Sequence, residues 1–386
     1  MFEPFPGNYV WNLSVNLAIC MGGAIGEMDV ANRSILASAA QGEDAGTEAF
    51  FTAWCALADR LVALGQADVS AGRRLSAAEK FRRAVIYYMT AERMQSRHFA
   101  PRRDAYRNML DAMTRAVELG GLNCERVEIP YDNTVFPGLF VRGMGAGPRP
   151  CMVHCNGLDS VKEMIYWSGI GQALSRRGIS TLMIDHPGVG EALRLRGLHA
   201  VAESERWAGA ALDLLETRRD VQPDRIGMMG WSLGGYYAPR AAAFERRFKL
   251  CVAWGANHNW GELQRLRLAR EGDRPVPHYW DHVLWVWGKD SLEDFMAFAP
   301  RISLVGVVDK ITVPFLITHG GNDRQIPLRY AQQSFDEATN SPKRELKIFG
   351  EREGGVEHCS ADNMEPARSY IADWIGETFS QMNPTG

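Results

Sequence analysis

The stretch RIGMMGWSLGGYYAPRAAAF, residues 225–244, sets a short apolar run directly before a serine and a helical pattern directly after it. Gly230 and Gly234 flank Ser232 two positions away on either side, a G-x-S-x-G spacing. Between a strand and a helix, that spacing describes a strained turn that lifts its central side chain above the end of a sheet. The neighbours must be small because the central residue is held in an unfavourable backbone conformation, and the two glycines meet that need. The hydroxyl then stands at the start of a helix, whose positive end favours developing negative charge. Ser232 therefore reads as a nucleophile, against the plainer alternative of a glycine-rich bend.

Outward from this turn the chain repeats one theme. PCMVHCNG (150–157), ISTLMIDHPG (179–188), KLCVAWGA (249–256), VPFLITHGG (313–321) and ELKIFG (345–350) are short apolar runs that end in turns, as buried parallel strands do. Helical patterns separate them at 164–178, 202–219, 233–247, 327–340 and 367–381. ERVEIPYD (125–132) and TVFPGLFVR (134–142) read as an opening antiparallel pair. The alternation predicts an α/β fold with a mostly parallel, doubly wound sheet and right-handed crossovers. Ligands of such sheets bind beyond the carboxyl ends of the strands.

Residues 47–119 differ, with apolar positions at helical spacing and no strand-like alternation. The expected organisation is an N-terminal helical cap domain over 1–120 and a catalytic domain over 121–386. Residues 257–310 interrupt the strand–helix alternation and carry Trp260, Trp280, Trp285 and Trp287, which predicts a lid insertion. Trp260 and His258 are candidate substrate contacts there, with packing in a core as the alternative.

A serine needs a base to become nucleophilic, and this strand order supplies partners in the order Ser, acid, His. Asp323 ends the strand after the insertion, and His358 follows the last strand. Asp309, Glu357 and Asp362 are rival acids; Asp309 precedes its strand, and the other two are local to His358. The carboxylate would orient the imidazole and stabilise its charged form. Two backbone N–H groups would hold the oxyanion, at Leu233 after the serine and at Leu158 in the loop NGLDSVKE, where Gly157 permits a sharp turn.

Bulk composition excludes several other classes. With 43 basic and 46 acidic residues the formal charge is −3, which gives no basis for a nucleic-acid or anionic-membrane partner. Seven scattered cysteines without a C-x-x-C pair argue against a disulfide framework or a zinc site and for a reducing compartment. The first residues carry an acid and no base before the apolar run LAICMGGAIG (17–26), which is too short to span a bilayer. A soluble cytoplasmic protein is expected, acting on a small molecule, with no metal or organic cofactor signalled.

NGLDSVKE (156–163), DHPGVGE (185–191), GWSLGG with YYAPRAA, and CVAWGA resemble the α/β-hydrolase group of the 2,6-dihydroxypseudooxynicotine hydrolases. The fungal polyketide-shortening (yellowish-green pigment) hydrolases are also similar, and the FrsA-like esterases more distantly. The likeness covers nearly the whole chain, including Gly22–Ala24 in the helical segment. It implies cleavage of a carbon–carbon bond beside a carbonyl by a Ser–Asp–His triad, and it leans toward a homodimer. It also implies a catalytic or substrate-binding carboxylate at Asp159, where the nicotine-pathway enzyme has glutamate. A helix cap near Ser160 is the structural alternative for Asp159, while Glu163 and Asp185 read as structural.

The triad alone does not separate the reactions it can serve. Hydrolysis of a β-diketone-like bond in a bulky aromatic or polyketide substrate leads. Carboxylester or thioester hydrolysis and acyl transfer share the same acyl-enzyme, and a non-catalytic binding module is the reading from another class.

Overall fold

Among the described residues, eight strands form one sheet in the order β1-β2-β4-β3-β5-β6-β7-β8. The strands are β1 (Glu125–Tyr131), β2 (Thr134–Val141), β3 (Arg149–Cys155), β4 (Ser180–Ile184), β5 (Val221–Trp231), β6 (Cys251–Trp254), β7 (Phe315–Gly320) and β8 (Arg344–Phe349). β2 runs antiparallel to β1 and β4, and every pairing from β4 to β8 is parallel. β4, β6 and β7 are buried along their whole length, which explains their continuous apolar sequences. β1 lies at the edge and alternates buried with exposed positions where it is half covered. Helices Glu205–Glu216 and Gly234–Phe244 pack together against β5, and Ile170–Arg176 packs with Met364–Gln381.

This computed structural model describes residues 1–269 and 273–382. One compact unit comprises Met1–Cys124 with Arg274–His282; the other comprises the described parts of Glu125–Asp273 and Val283–Gly386. The first unit is helical, with long helices Thr47–Ser70, Arg74–Arg93 and Pro101–Gly120 packed side by side. Its core is a run of aromatic edges and faces from Phe5 through Trp11, Phe50 and Trp54 to Tyr87.

Two differences from the sequence expectation have physical causes. Helices Tyr9–Cys20 and Ile25–Arg33 precede the predicted helical stretch. The first is buried almost all round from Tyr9 to Asn16, so it carries no amphipathic period to read. The expected lid of 257–310 is also divided, because residues 274–282 belong to the helical unit. There Asp281 accepts from Ser96 Oγ at 2.8 Å and Arg97 N at 3.2 Å, and His278 Nε2 lies 3.1 Å from Thr47 Oγ1. The long stretch of the first unit ends at Cys124, and the second unit starts at Glu125.

The start of helix Gly234–Phe244 sits directly on the backbone that follows β6: a Cβ on Gly235 would lie 2.2 Å from Gly255 O. Gly235→Ala is therefore expected to cost about 1–3 kcal/mol through overpacking and to lower the thermal midpoint. A midpoint equal to that of the parent protein would show that the helix is not packed so tightly.

Candidate active site

The site begins where β5 ends. Ser232 has φ 57°, the left-handed region. A Cβ on Gly230 would stand 2.5 Å from both Cys155 Sγ and Gly234 O, and one on Gly234 would stand 2.9 Å from Asn156 O. Strand, turn and helix are thus too close for side chains at either glycine. Ser232 N donates to Trp254 O at 2.9 Å, and Ser232 O accepts from Gly235 N at 2.8 Å.

Ser232 Oγ lies 2.9 Å from His358 Nε2, and His358 Nδ1 lies 2.9 Å from Asp323 Oδ2. The other oxygen of Asp323 accepts from Gln325 N at 2.8 Å and Ile326 N at 2.9 Å. Burial alone would raise the Asp323 pKa, but the charge and hydrogen bond of His358, with the Ile326 amide, hold it down at about 2. Burial likewise opposes charge on His358, and the Asp323 carboxylate outweighs it and raises the imidazole well above its ordinary range. An ionised carboxylate requires the proton on Nδ1, which leaves Nε2 to accept from the serine hydroxyl. A hydroxyl, an imidazole and a buried carboxylate joined in this order form a chain able to remove a proton from the serine.

Backbone and polar side chains hold each partner in place. Asp362 accepts from three successive amides, Gly355 N, Val356 N and Glu357 N, at 2.8–3.2 Å, and so fixes the loop that carries His358. Of the rival acids, Asp362 therefore shapes this loop, and Glu357 accepts from Asn322 Nδ2 at 2.9 Å. Asp309 is half exposed and faces Lys310. His319, at the end of β7, has Nε2 3.0 Å from Ile326 O and 3.6 Å from Asp323 Oδ2, and burial lowers its pKa.

The loop after β3 packs against the serine: a Cβ on Gly157 would lie 2.9 Å from Ser232 Cβ. Ser160 is its hub, donating to Asn156 Oδ1 at 2.8 Å and accepting from Gly157 N and Trp231 Nε1 at 3.0 Å each. Leu158 and Asp159 are both buried in this loop. Leu233, also buried, has an N–H without a protein acceptor among the described residues. The helix after the loop starts at Lys162, and its first amide donates to Asp185 Oδ1 at 2.7 Å.

Beneath the loop lies a buried ionic cluster. Lys162 Nζ sits 2.7 Å from Glu163, 3.0 Å from Asp185 and 3.3 Å from Glu191, whose carboxylate also pairs with Arg126 at 2.7 Å. Burial would discharge Lys162, but the three carboxylates raise its pKa instead. Asp185 further accepts from Asn156 Nδ2 and Glu191 N, so one carboxylate ties the ends of β3 and β4 to two helix starts.

Two expected substrate contacts, His258 and Trp260, are buried in protein packing. His258 is fully buried, with Nδ1 3.0 Å from Ser334 Oγ and Nε2 3.2 Å from Glu337; it anchors helix Leu328–Glu337 to the segment after β6. Trp260 is 2% exposed and packs against Trp287 and Phe295, an aromatic core within the insertion. Cys359, which no motif singles out, has its Sγ 3.6 Å from His358 Nε2. Nor does a motif single out the roles of Ser160 and Lys162 described above. No group of three or more metal-binding side chains occurs among the described residues.

A mostly parallel eight-stranded sheet with a strained serine turn after β5 defines an α/β-hydrolase. The FrsA-like esterase family matches residues 54–264 and the prolyl oligopeptidase family residues 173–379; the chain belongs to the FrsA-like family of α/β-hydrolases. It is 28% identical to 2,6-dihydropseudooxynicotine hydrolase of Paenarthrobacter nicotinovorans over 84% of this chain and 83% of that protein. Hydrolase acrC of Aspergillus aculeatus is 31% identical, covering 89% of this chain and 91% of the relative. The 20-hydroxy-prefusarin hydrolase FUS2 of Gibberella moniliformis is 25% identical over the same shares, 89% and 91%. The crystal structure of 2,6-dihydroxy-pseudo-oxynicotine hydrolase shares the fold, with a TM-score of 0.77 at 24% identity, covering 96% of this chain and 98% of that one.

Lys162→Met would leave three buried carboxylates without their cation. The expected cost is about 3–5 kcal/mol of stability, read as a lowered midpoint in urea or heat, and an unchanged midpoint would contradict the buried cluster.

Proposed function

We propose that this hydrolase works through Ser232, His358 and Asp323, and that it cleaves the carbon–carbon bond beside a carbonyl in a bulky aromatic or polyketide-type β-dicarbonyl substrate. The observation that carries the triad is the unbroken path from Ser232 Oγ through His358 to Asp323, with both contacts at 2.9 Å. Ser232 Oγ attacks the carbonyl carbon as His358 Nε2 takes its proton. The oxyanion forms against the Leu233 N–H at the start of a helix, with Leu158 in the neighbouring loop as the second donor. The carbon–carbon bond then breaks, and its electron pair passes into the leaving half as an enolate, which takes the proton held on His358 Nε2 and leaves the imidazole neutral. Water attacks the acyl-enzyme through the same base, releasing a carboxylic acid and restoring the serine.

An alkoxide leaving group needs only His358 as acid, whereas an enolate benefits from a second polar group. Asp159, in the loop packed on Ser232, is proposed for that place as auxiliary acid or as a contact to the leaving half. The relatives named for a pseudooxynicotine and a prefusarin support a bulky carbonyl substrate. Ester hydrolysis is the second reading, favoured by the match to an esterase family.

A fluorophosphonate probe is expected to label the parent protein and not Ser232→Ala; labelling of both would remove the serine from the mechanism. Asp159→Asn should lose roughly a hundredfold or more on a β-diketone, within the usual range for an acid–base group, while keeping its rate on an activated ester. Equal losses on the two substrates would leave ester cleavage as the better reading. The base must be neutral to act, and its pKa is raised. Activity on the activated ester should therefore rise with pH along a limb whose midpoint lies above the 6.5 of an ordinary imidazole. A midpoint below that value would contradict the Asp323–His358 pairing.

A further inference from the structure

The residue after the imidazole is held in a conformation that needs a reason. Cys359 has φ 49° and Ser360 has φ 59°, two consecutive residues with a Cβ in the left-handed region. Such strain persists only where surrounding structure enforces it, and it collects at functional sites. Its effect here is to turn the Cys359 side chain back toward its neighbour. Sγ comes to 3.6 Å from His358 Nε2, the same nitrogen that meets Ser232 Oγ, and to 3.5 Å from Trp254 O. Gly255 leaves room for it, since a Cβ there would stand 3.1 Å from the sulfur. Trp254 O is also the acceptor of the Ser232 amide, so the thiol is fixed against the nucleophile's own backbone.

We propose that Cys359 is a positioning residue of this site, a thiol that holds His358 Nε2 in both of its protonation states. This rests on the serine hydrolase reading above. A thiol is a weak donor and a weak acceptor on a single rotor. While the base is neutral, Nε2 carries a lone pair, and the S–H points at it beside the serine hydroxyl. Once Nε2 has taken the serine proton it becomes a donor, and the serine oxygen is bonded to carbon. The S–H then rotates to Trp254 O, and a sulfur lone pair accepts from Nε2–H. No bond to sulfur is made or broken and no redox partner is needed; the thiol hydrogen changes only its acceptor. The charged ring thus keeps an acceptor until its proton passes to the leaving group.

A hydrogen bond from a charged donor is roughly twice as strong as a neutral one, so the sulfur favours the imidazolium over the imidazole. The titratable groups facing His358 are Asp323 and His319 from the segment ending β7 and Cys359 on its own loop. Burial lowers the His319 pKa, His358 holds the Asp323 carboxyl low, and the thiol is the group that can be removed without touching either.

The test uses the full-length protein, its rate of labelling by a fluorophosphonate probe across pH, and its thermal midpoint. Cys359→Ala is expected to slow labelling roughly three- to tenfold at the plateau. It should also move the acid limb to lower pH by about 0.5 unit, because the imidazolium loses an acceptor. Cys359→Ser, whose hydroxyl also donates and accepts, should recover most of the rate with a similar thermal midpoint. A parent-like rate and limb in Cys359→Ala would overturn the inference while leaving the triad intact. So would equal losses in both variants with a lowered midpoint and an unmoved limb, the mark of packing alone. A parent protein that the probe does not label would overturn the serine mechanism, and this inference with it.

Discussion

Ser232 holds a backbone conformation that costs a residue with a Cβ about 1–2 kcal/mol, and the packing around it leaves the chain no other course. Gly230 is pressed against Cys155, Gly234 against Asn156 and Gly235 against the backbone of Gly255. The end of β5, the start of the next helix and the loop after β3 approach one another at backbone distance. At that separation only the serine side chain has somewhere to go. Gly157 completes the arrangement from the opposite side, where any larger residue would occupy the space beside the hydroxyl. The site is thus built around a turn that a well-packed sheet imposes, and strain at one residue is offset by burial of the central strands.

The polar cluster below the loop answers a different need. Apolar side chains could fill the volume of Lys162, Asp185 and Glu191, but they would give no acceptor to the Lys162 and Glu191 amides or to Asn156 Nδ2. Buried N–H groups without partners are costly, and here they mark the starts of two helices. One carboxylate therefore sets the height at which both helices leave the sheet. The loop bearing Leu158 and Asp159 runs between Asn156 and Lys162, so its path depends on those same bonds. Charge that contributes little net stability fixes a geometry instead.

The sheet was legible because parallel strands covered on both faces read as continuous apolar runs, and because each run ends in a turn. The three side chains singled out by strand order meet at hydrogen-bond distance, since order along the chain becomes order across the sheet. The packing of His258 and Trp260 was not legible, for a related reason. Lying past the end of β6 puts a residue near the open end of the sheet, but its facing depends on how helix Leu328–Glu337 and the aromatics Trp287 and Phe295 pack, which no local pattern records. Cys359 was invisible because neighbouring side chains ordinarily diverge; only the left-handed backbone at 359 brings the sulfur round. Helix Tyr9–Cys20 escaped notice because burial on all sides erased its period.

The pairing of Asp323 with His358 places stability and chemistry on opposite sides of one titration. A histidine whose pKa is raised on folding stabilises the fold fully below its unfolded value, near 6.5, and loses that contribution as pH rises through its folded value. Asp323, lowered to about 2, contributes above its unfolded value near 3.8 and loses it as pH falls toward 2. The pair therefore supports the fold most between those two unfolded values. The proposed base must be neutral to act, so the protein works where part of that support has gone. Asp323 compensates by ordering its own turn through Gln325 N and Ile326 N, bonds that remain when the imidazole loses its charge. The carboxylate stays aimed at Nδ1 without the attraction of an opposite charge, and so the ring can give up and regain its proton without the site coming apart.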